Sequence, residues 1–176
     1  LPEWDCHQDM PVLKRESKAI LKQLGTLGGG NHFIEIQKDE SGSIWFMLHS
    51  GSRNLGLQVA NYYNKEAIAK SPDIPFEWQL AYLHLDSEVA RKYLLEMNYC
   101  LQFAGSNRAL MAERIKEAFF EVSSLQFLEE INIHHNYAVA EEHFGEEVMV
   151  HRKGATSANL SEIGIIPGSQ GTPSYI

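Results

Sequence analysis

Three consecutive glycines, Gly28-Gly29-Gly30, run straight into Asn31-His32 and then into Phe33 to Gln37, where the side chains alternate in character. No other feature restricts the fold so tightly. A triple glycine makes a poor interior for a helix or strand, because its backbone freedom is lost on ordering with no side chain to pack. An alternation of period two is a strand signal. The stretch therefore predicts a loop of bare backbone feeding a strand, with an imidazole at the junction. Glycines there admit positive φ and let a bulky anion approach main-chain N–H donors.

The neighbouring segments frame this loop. Pro11 to Gly25 predicts a helix, with Leu13, Ile20, Leu21 and Leu24 on an apolar stripe and Gly25 as its stop. After the strand, Asp39-Glu40-Ser41-Gly42 is turn-rich and leads to a second strand ending near Met47-Leu48-His49. A hairpin centred between Glu40 and Ser41 sets His32 directly opposite His49. Opposed Cβ atoms in an antiparallel pair are about 4.5–5.5 Å apart, so the two imidazoles can share one metal ion or serve two adjacent ones. The competing reading is a pair of unrelated, hydrogen-bonded histidines at strand ends.

Ser50-Gly51-Ser52-Arg53-Asn54 follows, just ahead of a helix predicted over Leu55 to Lys70. Hydroxyls, a glycine and an arginine before a helix N-terminus make an anion site, because free N–H groups and the helix dipole both favour negative charge. Ser50 and Arg53 are thus candidate phosphate contacts, against the alternative of an ordinary cap with a surface arginine. Ser71 to Pro75 breaks the helix, and the connector Phe76 to Leu85 carries His84, read as structural. Asp86 to Leu125 is the helical mass, its apolar residues recurring at three and four. Gly105-Ser106-Asn107-Arg108 interrupts that pattern as a kink, a break between two helices, or a polar patch directed at the active site. Cys100 reads as a small core hydrophobe.

In the last third, Glu130 to His135 has β character and ends in His134-His135-Asn136. Adjacent strand residues face opposite ways, so one of the two histidines can join the first pair, and His135 is the choice. Asn31 and Asn136 are candidates for second-sphere or nucleotide contacts. His143, in an acidic stretch, reads as a surface residue. Val148 to Val150 predicts a strand opening into His151-Arg152-Lys153-Gly154, where Arg152 and Lys153 form a basic cluster suited to phosphate or RNA, or else a solvated strand end. Ile163 to Ile166 predicts a strand that enters the glycine- and hydroxyl-rich loop Pro167 to Thr172. Asp5-Cys6-His7 is too tightly spaced to converge readily on one ion.

Composition limits the partners. A net charge of −8 over 176 residues argues against a general nucleic-acid coat, so phosphate must be met by a local basic pocket. The sequence has no apolar run of the roughly 20 residues a membrane span needs. Two unpatterned cysteines suit a reducing, cytoplasmic setting. The ends, Leu1 and Tyr175-Ile176, suggest a fragment of something longer.

GGGNHFIE, HSGSRN, HHN, HRKGAT and IIPGSQGTPSY, in this order from Gly28 to Tyr175, resemble the RtcB family of RNA ligases. The resemblance implies a GTP- and Mn²⁺-dependent enzyme that joins RNA bearing a 2′,3′-cyclic phosphate or 3′-phosphate to a 5′-hydroxyl end, on tRNA halves or damaged RNA. It implies that His32, His49 and His135 are manganese ligands of two metal sites. It further implies that Asn31, His32, Phe33, Ile34, Glu35, His135, Asn136, Pro167, Gly168, Ser169, Gln170 and Ser174 surround the guanosine nucleotide, with Arg53 near the reacting phosphates. The expected fold is α+β, with mixed or antiparallel sheets, a β-hairpin carrying the metal histidines and a long helical insertion. Residues 1–176 are expected to be a single partial domain, the core of such a ligase. The family's upstream Asp and metal-ligand Cys and its downstream nucleophilic His have no counterpart here, so the isolated chain is expected to be inactive. Gln170 stands where the family has methionine, and Pro173 precedes Ser174. Two other classes fit the same residues: a metal-dependent phosphohydrolase and a non-catalytic, truncated nucleotide-binding paralogue.

Overall fold

Pro11 opens the first helix, α1 (Pro11–Gln23), at the position where its missing N–H costs nothing. The next two N–H groups, of Val12 and Leu13, have no helical acceptor and are taken by Glu96 Oε1, each at 2.8 Å. Val12, Leu13 and Ile20 bury one face of α1. They pack with Leu55, Val59 and Tyr63 of α2 (Leu55–Lys70) and with Cys100 and Phe103 of α3 (Glu88–Val122), making a three-helix core. These come from a computed structural model that describes residues 9–124, 126–168 and 171–176. The chain divides into two compact units, Leu1–Ser123 and Ser124–Ile176.

In the first unit, β1 (Phe33–Lys38) and β2 (Ile44–His49) form an antiparallel hairpin between α1 and α2. Its register corrects the expected one by a residue: His49 opposes Phe33, not His32. The loop is the reason. Asp39 N–H bonds Ser43 O at 3.0 Å, leaving Glu40-Ser41-Gly42 as an odd, three-residue connection with Gly42 at φ +92°. Asp39 Oδ1 also accepts from Ser41 Oγ (2.7 Å) and Ser43 N–H (2.8 Å), and Oδ2 from Trp45 Nε1 (2.9 Å). Helix α3 runs unbroken for 35 residues, so the expected interruption at Gly105 to Arg108 is a polar patch within a continuous helix. Ser87 caps it through Ala90 N–H at 3.2 Å. A short 3₁₀ turn, Phe76–Trp78, lies in the connector before it.

The second unit is built on another antiparallel hairpin, β3 (Asn136–His143) and β4 (Glu146–Lys153). Phe144 and Gly145 form its two-residue loop, both at positive φ (56° and 81°), the backbone of a tight mirror-type turn. Glu130 to His135 is not a strand, contrary to expectation; pairing starts at Asn136, so the alternation argument does not separate His134 from His135. The expected strand at Ile163 to Ile166 reduces to one bridge, Ile166 with Tyr175, closed by hydrogen bonds of 2.8 and 3.0 Å. The architecture is α+β with two small antiparallel sheets among the described residues. Among them, no helix is long and apolar enough to cross a membrane.

Candidate functional site

The glycine loop and the segment after β2 come together in the first unit. Ser50 is 1% exposed and donates its hydroxyl to Leu27 O at 2.7 Å. The Arg53 guanidinium donates from Nε to Thr26 Oγ1 at 3.0 Å and lies over Gly28, where an added Cβ would sit 1.5 Å from Nη1. The same Cβ would lie 2.6 Å from His32 Nδ1, and one on Gly51 would lie 3.9 Å from His32 Nε2. Two glycines thus make the space in which the imidazole sits. Gly28 adopts φ +96°, a conformation that disfavours any side chain.

His32 and His49 meet edge-on with ring centroids 5.6 Å apart, although the register does not oppose them. His32 just precedes β1, so it is not bound by the strand's alternation and turns toward its partner. Phe33 also packs edge-on against His49, at 5.5 Å between ring centroids. His32 Nδ1 is buried and makes no hydrogen bond. A buried imidazole nitrogen left without a partner is costly unless something outside the protein completes it. The pair fits a borderline metal ion as two nitrogen ligands of a larger set. Within either unit, among the described residues, no three His, Cys, Asp or Glu side chains form a complete ligand cluster.

The backbone before Arg53 and Asn54 is set by strain. Both residues have positive φ (54° and 70°), and Leu55 N–H closes the turn on Ser52 O at 3.1 Å. Non-glycine residues pay for such conformations, and consecutive ones cluster where a site needs them. Asn54 makes no side-chain cap; Ser52 Oγ instead accepts from Gly56 N–H at 2.9 Å.

Helix α3 reaches these loops with Asn107 and Arg108, members of the tetrad for which a polar patch directed at the active site is one of three readings, and with Arg114, which the sequence did not single out. Asn107 is fully buried and bonds both loops. Arg108 Nη1 donates to Ser50 O at 3.2 Å and Arg114 Nη1 to Gly25 O at 2.8 Å. Burial lowers the pKa of Arg108. With Arg53, three guanidiniums bond the two loops, Arg53 and Arg114 at Gly25-Thr26 and Arg108 at Ser50, in an otherwise acidic chain. The available signal was positional: Asn107 falls on the stripe of Phe103, Ala104 and Met111, all buried, where a polar side chain needs a polar reason.

Of the nucleotide candidates in this unit, Asn31 and Ile34 are exposed, and Glu35 Oε2 accepts from Gln37 Nε2 at 3.1 Å. Ile34 lines an apolar groove with Gly25, Met111, Arg114, Ile115, Ala118 and Phe119.

The second unit holds the other candidates. His135 O accepts from Ala155 N–H at 3.1 Å, and Asn136 Oδ1 from Gly154 N–H at 2.9 Å, so the HHN and HRKGAT segments are tied together at one end of the hairpin. Arg152 and Lys153 lie inside β4 and not beyond it, hence on opposite faces. Lys153 is exposed, whereas Arg152 grips Glu141 through two nitrogens and lies 5.5 Å from the Tyr137 ring. That grip, with a further bond from His143, holds the Glu141 carboxyl down at about 2. Gly168 N–H bonds Ser174 Oγ at 3.0 Å, closing the loop that begins at Pro167. Ser169 and Gln170, and Asp5-Cys6-His7, lie outside the described residues.

Comparison with known proteins relates the chain to proteins named as RNA-splicing ligases. It belongs to the tRNA-splicing ligase RtcB family, whose sequence model it matches over residues 3–176. The RNA-splicing ligase RtcB of Escherichia coli K12 is 43% identical over 166 residues, covering 88% of this chain and 40% of the relative. The RNA-splicing ligase RtcB homolog 1 of Entamoeba dispar is 34% identical, covering 97% of this chain and 39% of the relative. The tRNA-splicing ligase RtcB of Aeropyrum pernix is 32% identical, covering 98% and 44%. The chain therefore spans about two fifths of the length of these relatives.

Proposed function

We propose that this chain forms part of the core of a GTP- and Mn²⁺-dependent RNA ligase that joins 2′,3′-cyclic phosphate or 3′-phosphate ends to 5′-hydroxyl ends, in tRNA splicing or RNA repair, in the cytoplasm. The observation that carries this reading is the His32–His49 pair, with one buried, unpartnered nitrogen, beside Arg53 and a glycine loop in a chain of this family. His32, His49 and His135 would hold manganese. The chemistry such an ion would supply there is charge neutralisation beside a phosphate. The chain's own part is positioning. Arg53, held over Gly28, directs its guanidinium at a phosphate that the bare loop lets approach. Lys153 offers an exposed cation for the RNA backbone, and Arg152, on the opposite face of β4, would meet a phosphate of its own by exchanging Glu141 for it. Ser50 acts by shaping the loop, since its hydroxyl is turned inward. Asn31, Phe33 to Glu35, His135, Asn136, Pro167 to Gln170 and Ser174 contact the guanosine nucleotide.

The nucleophilic histidine has no counterpart in these 176 residues, so they should form no covalent GMP adduct on their own, while the whole ligase should. Incubation with labelled GTP and Mn²⁺, followed by denaturing electrophoresis, tests both statements. A labelled band from the 176-residue chain would show that a nucleophile lies within it, with His134, His143 and His151 the first candidates to mutate. In the whole ligase, Arg53→Ala should abolish joining while costing no more than about 1.5–3 kcal/mol of stability, because Arg53 makes one hydrogen bond, from its charged guanidinium to the Thr26 hydroxyl, at a partly exposed site.

A further inference from the structure

Asn107 occupies the middle of a 35-residue helix and has no exposed surface. An amide buried there must find partners or carry the full cost of desolvation. All its bonds to main-chain and oxygen partners leave the helix. Oδ1 accepts from Gly25 N–H (2.7 Å) and Thr26 N–H (3.1 Å). Nδ2 donates to Thr26 O (3.1 Å), Ser50 Oγ (3.0 Å) and Gly51 O (3.3 Å). One side chain thus holds the segment that leads to His32 and the segment that leaves His49. Ser50 extends the link, accepting from Asn107 and donating to Leu27 O at 2.7 Å. Packing alone would be served by an apolar residue at this place on the stripe, so the amide is explained by the two loops.

We propose that Asn107 is a positioning residue for the histidine pair. By clamping Gly25-Thr26 to Ser50-Gly51 it fixes the separation of the His32 and His49 rings and keeps Arg53 Nε against Thr26. The metal consequence rests on the reading of these histidines as manganese ligands; the geometric consequence does not. Partners that orient ligands without touching the ion change metal affinity by about 10–100-fold when removed.

The test compares the 176-residue chain with Asn107→Asp and Asn107→Ala, confirmed as folded by circular dichroism. Asn107→Asp keeps the acceptor for the Gly25 and Thr26 N–H groups and removes the donor to Thr26 O, Ser50 Oγ and Gly51 O. The first readout, without metal, is the nuclear Overhauser effect between the His32 and His49 ring protons. The second is Mn²⁺ binding followed by electron paramagnetic resonance. The wild-type chain should show the ring contact; the variants should lose it, with a Kd for Mn²⁺ raised about 10–100-fold. A folded variant that keeps the contact, or a wild-type chain that lacks it, overturns the proposal. Wild-type protein with the contact but without Mn²⁺ binding removes the metal reading and leaves the positioning role to be decided by the variants' ring contact. If neither Asn107 variant folds, Ser50→Ala replaces them: it deletes the hydroxyl between Asn107 and Leu27, should weaken the ring contact, and overturns the proposal if the contact is unchanged.

Discussion

Gly28 and Gly29 are neighbours with opposite tolerances. A methyl group on Gly28 would collide with the Arg53 guanidinium and with His32 Nδ1, at a φ of +96° that alanine resists; one on Gly29 meets nothing within 4 Å. Gly28→Ala should therefore cost about 1–2 kcal/mol from the left-handed backbone alone and displace both site residues, whereas Gly29→Ala should be close to neutral. Urea denaturation gives the stability of each variant, and phosphate titration followed by NMR gives the state of the site. Equal behaviour of the two variants would show that the loop does not hold this geometry in solution. The histidines show the same local logic: His32 sits in space left by Gly28 and Gly51, and there its Nδ1 is buried without a protein partner.

At the scale of elements, carboxylates fasten both hairpins and helix α1. The Ser41 hydroxyl and the Trp45 indole hold Asp39 down at about 2, and Arg152 with His143 holds Glu141 at about 2. Both groups are depressed below ordinary carboxylate values of about 4. Their contributions are therefore complete above that pH and are lost as pH falls toward 2. The Trp45 indole resonance, and the amide protection factors of β3 and β4 after correction for intrinsic exchange, should be unchanged from pH 7 to about 5 and then change with acid. Loss of either signal near pH 6 would point to a different fastening group. Glu96 works in the interior, where its Oε1 takes two N–H groups of α1. Glu96→Ala would leave both donors buried, and at about 1–3 kcal/mol for each unmet group it should cost several kcal/mol in urea denaturation. A cost below about 1 kcal/mol would mean that water replaces the carboxylate. Its Oε2 and the Tyr63 hydroxyl are buried without partners in hydrogen-bonding geometry, and burial, then Glu96, raises the Tyr63 pKa.

For the molecule as a whole, the first unit carries the helical core and Cys100 reports on it. Burial, followed by the nearby Glu96, pushes the Cys100 thiol up to about 12. Since the thiolate is the reactive form, a thiol reagent at pH 8 should leave Cys100 unmodified in the native chain and label it only as the three-helix core opens. Peptide mapping after timed labelling, with and without urea, measures this. Rapid native labelling at Cys100 would mean that α1, α2 and α3 are not packed as described.

Much of this was legible in the chain because it depends on local chemistry. Pro11, the break at Ser71 and the recurrence of apolar residues set α1, α2 and α3 within a few residues. The order of motifs from Gly28 to Tyr175 was enough to identify the family. What the sequence left open were matters of one residue or of distant partners. Whether the first hairpin turned on two residues or three depended on Asp39 bonding Ser43, and that choice moved the register. Whether Gly105 to Arg108 broke a helix depended on Gly25, Thr26 and Ser50, about 57 to 82 positions away, which accept and supply the bonds of Asn107. Glu130 to His135 had the composition of a strand, but among the described residues no strand pairs with it. Periodicity records which face of an element is apolar; only tertiary structure decides which distant loop satisfies a buried amide, because that bond exists only once the chain has brought the two together.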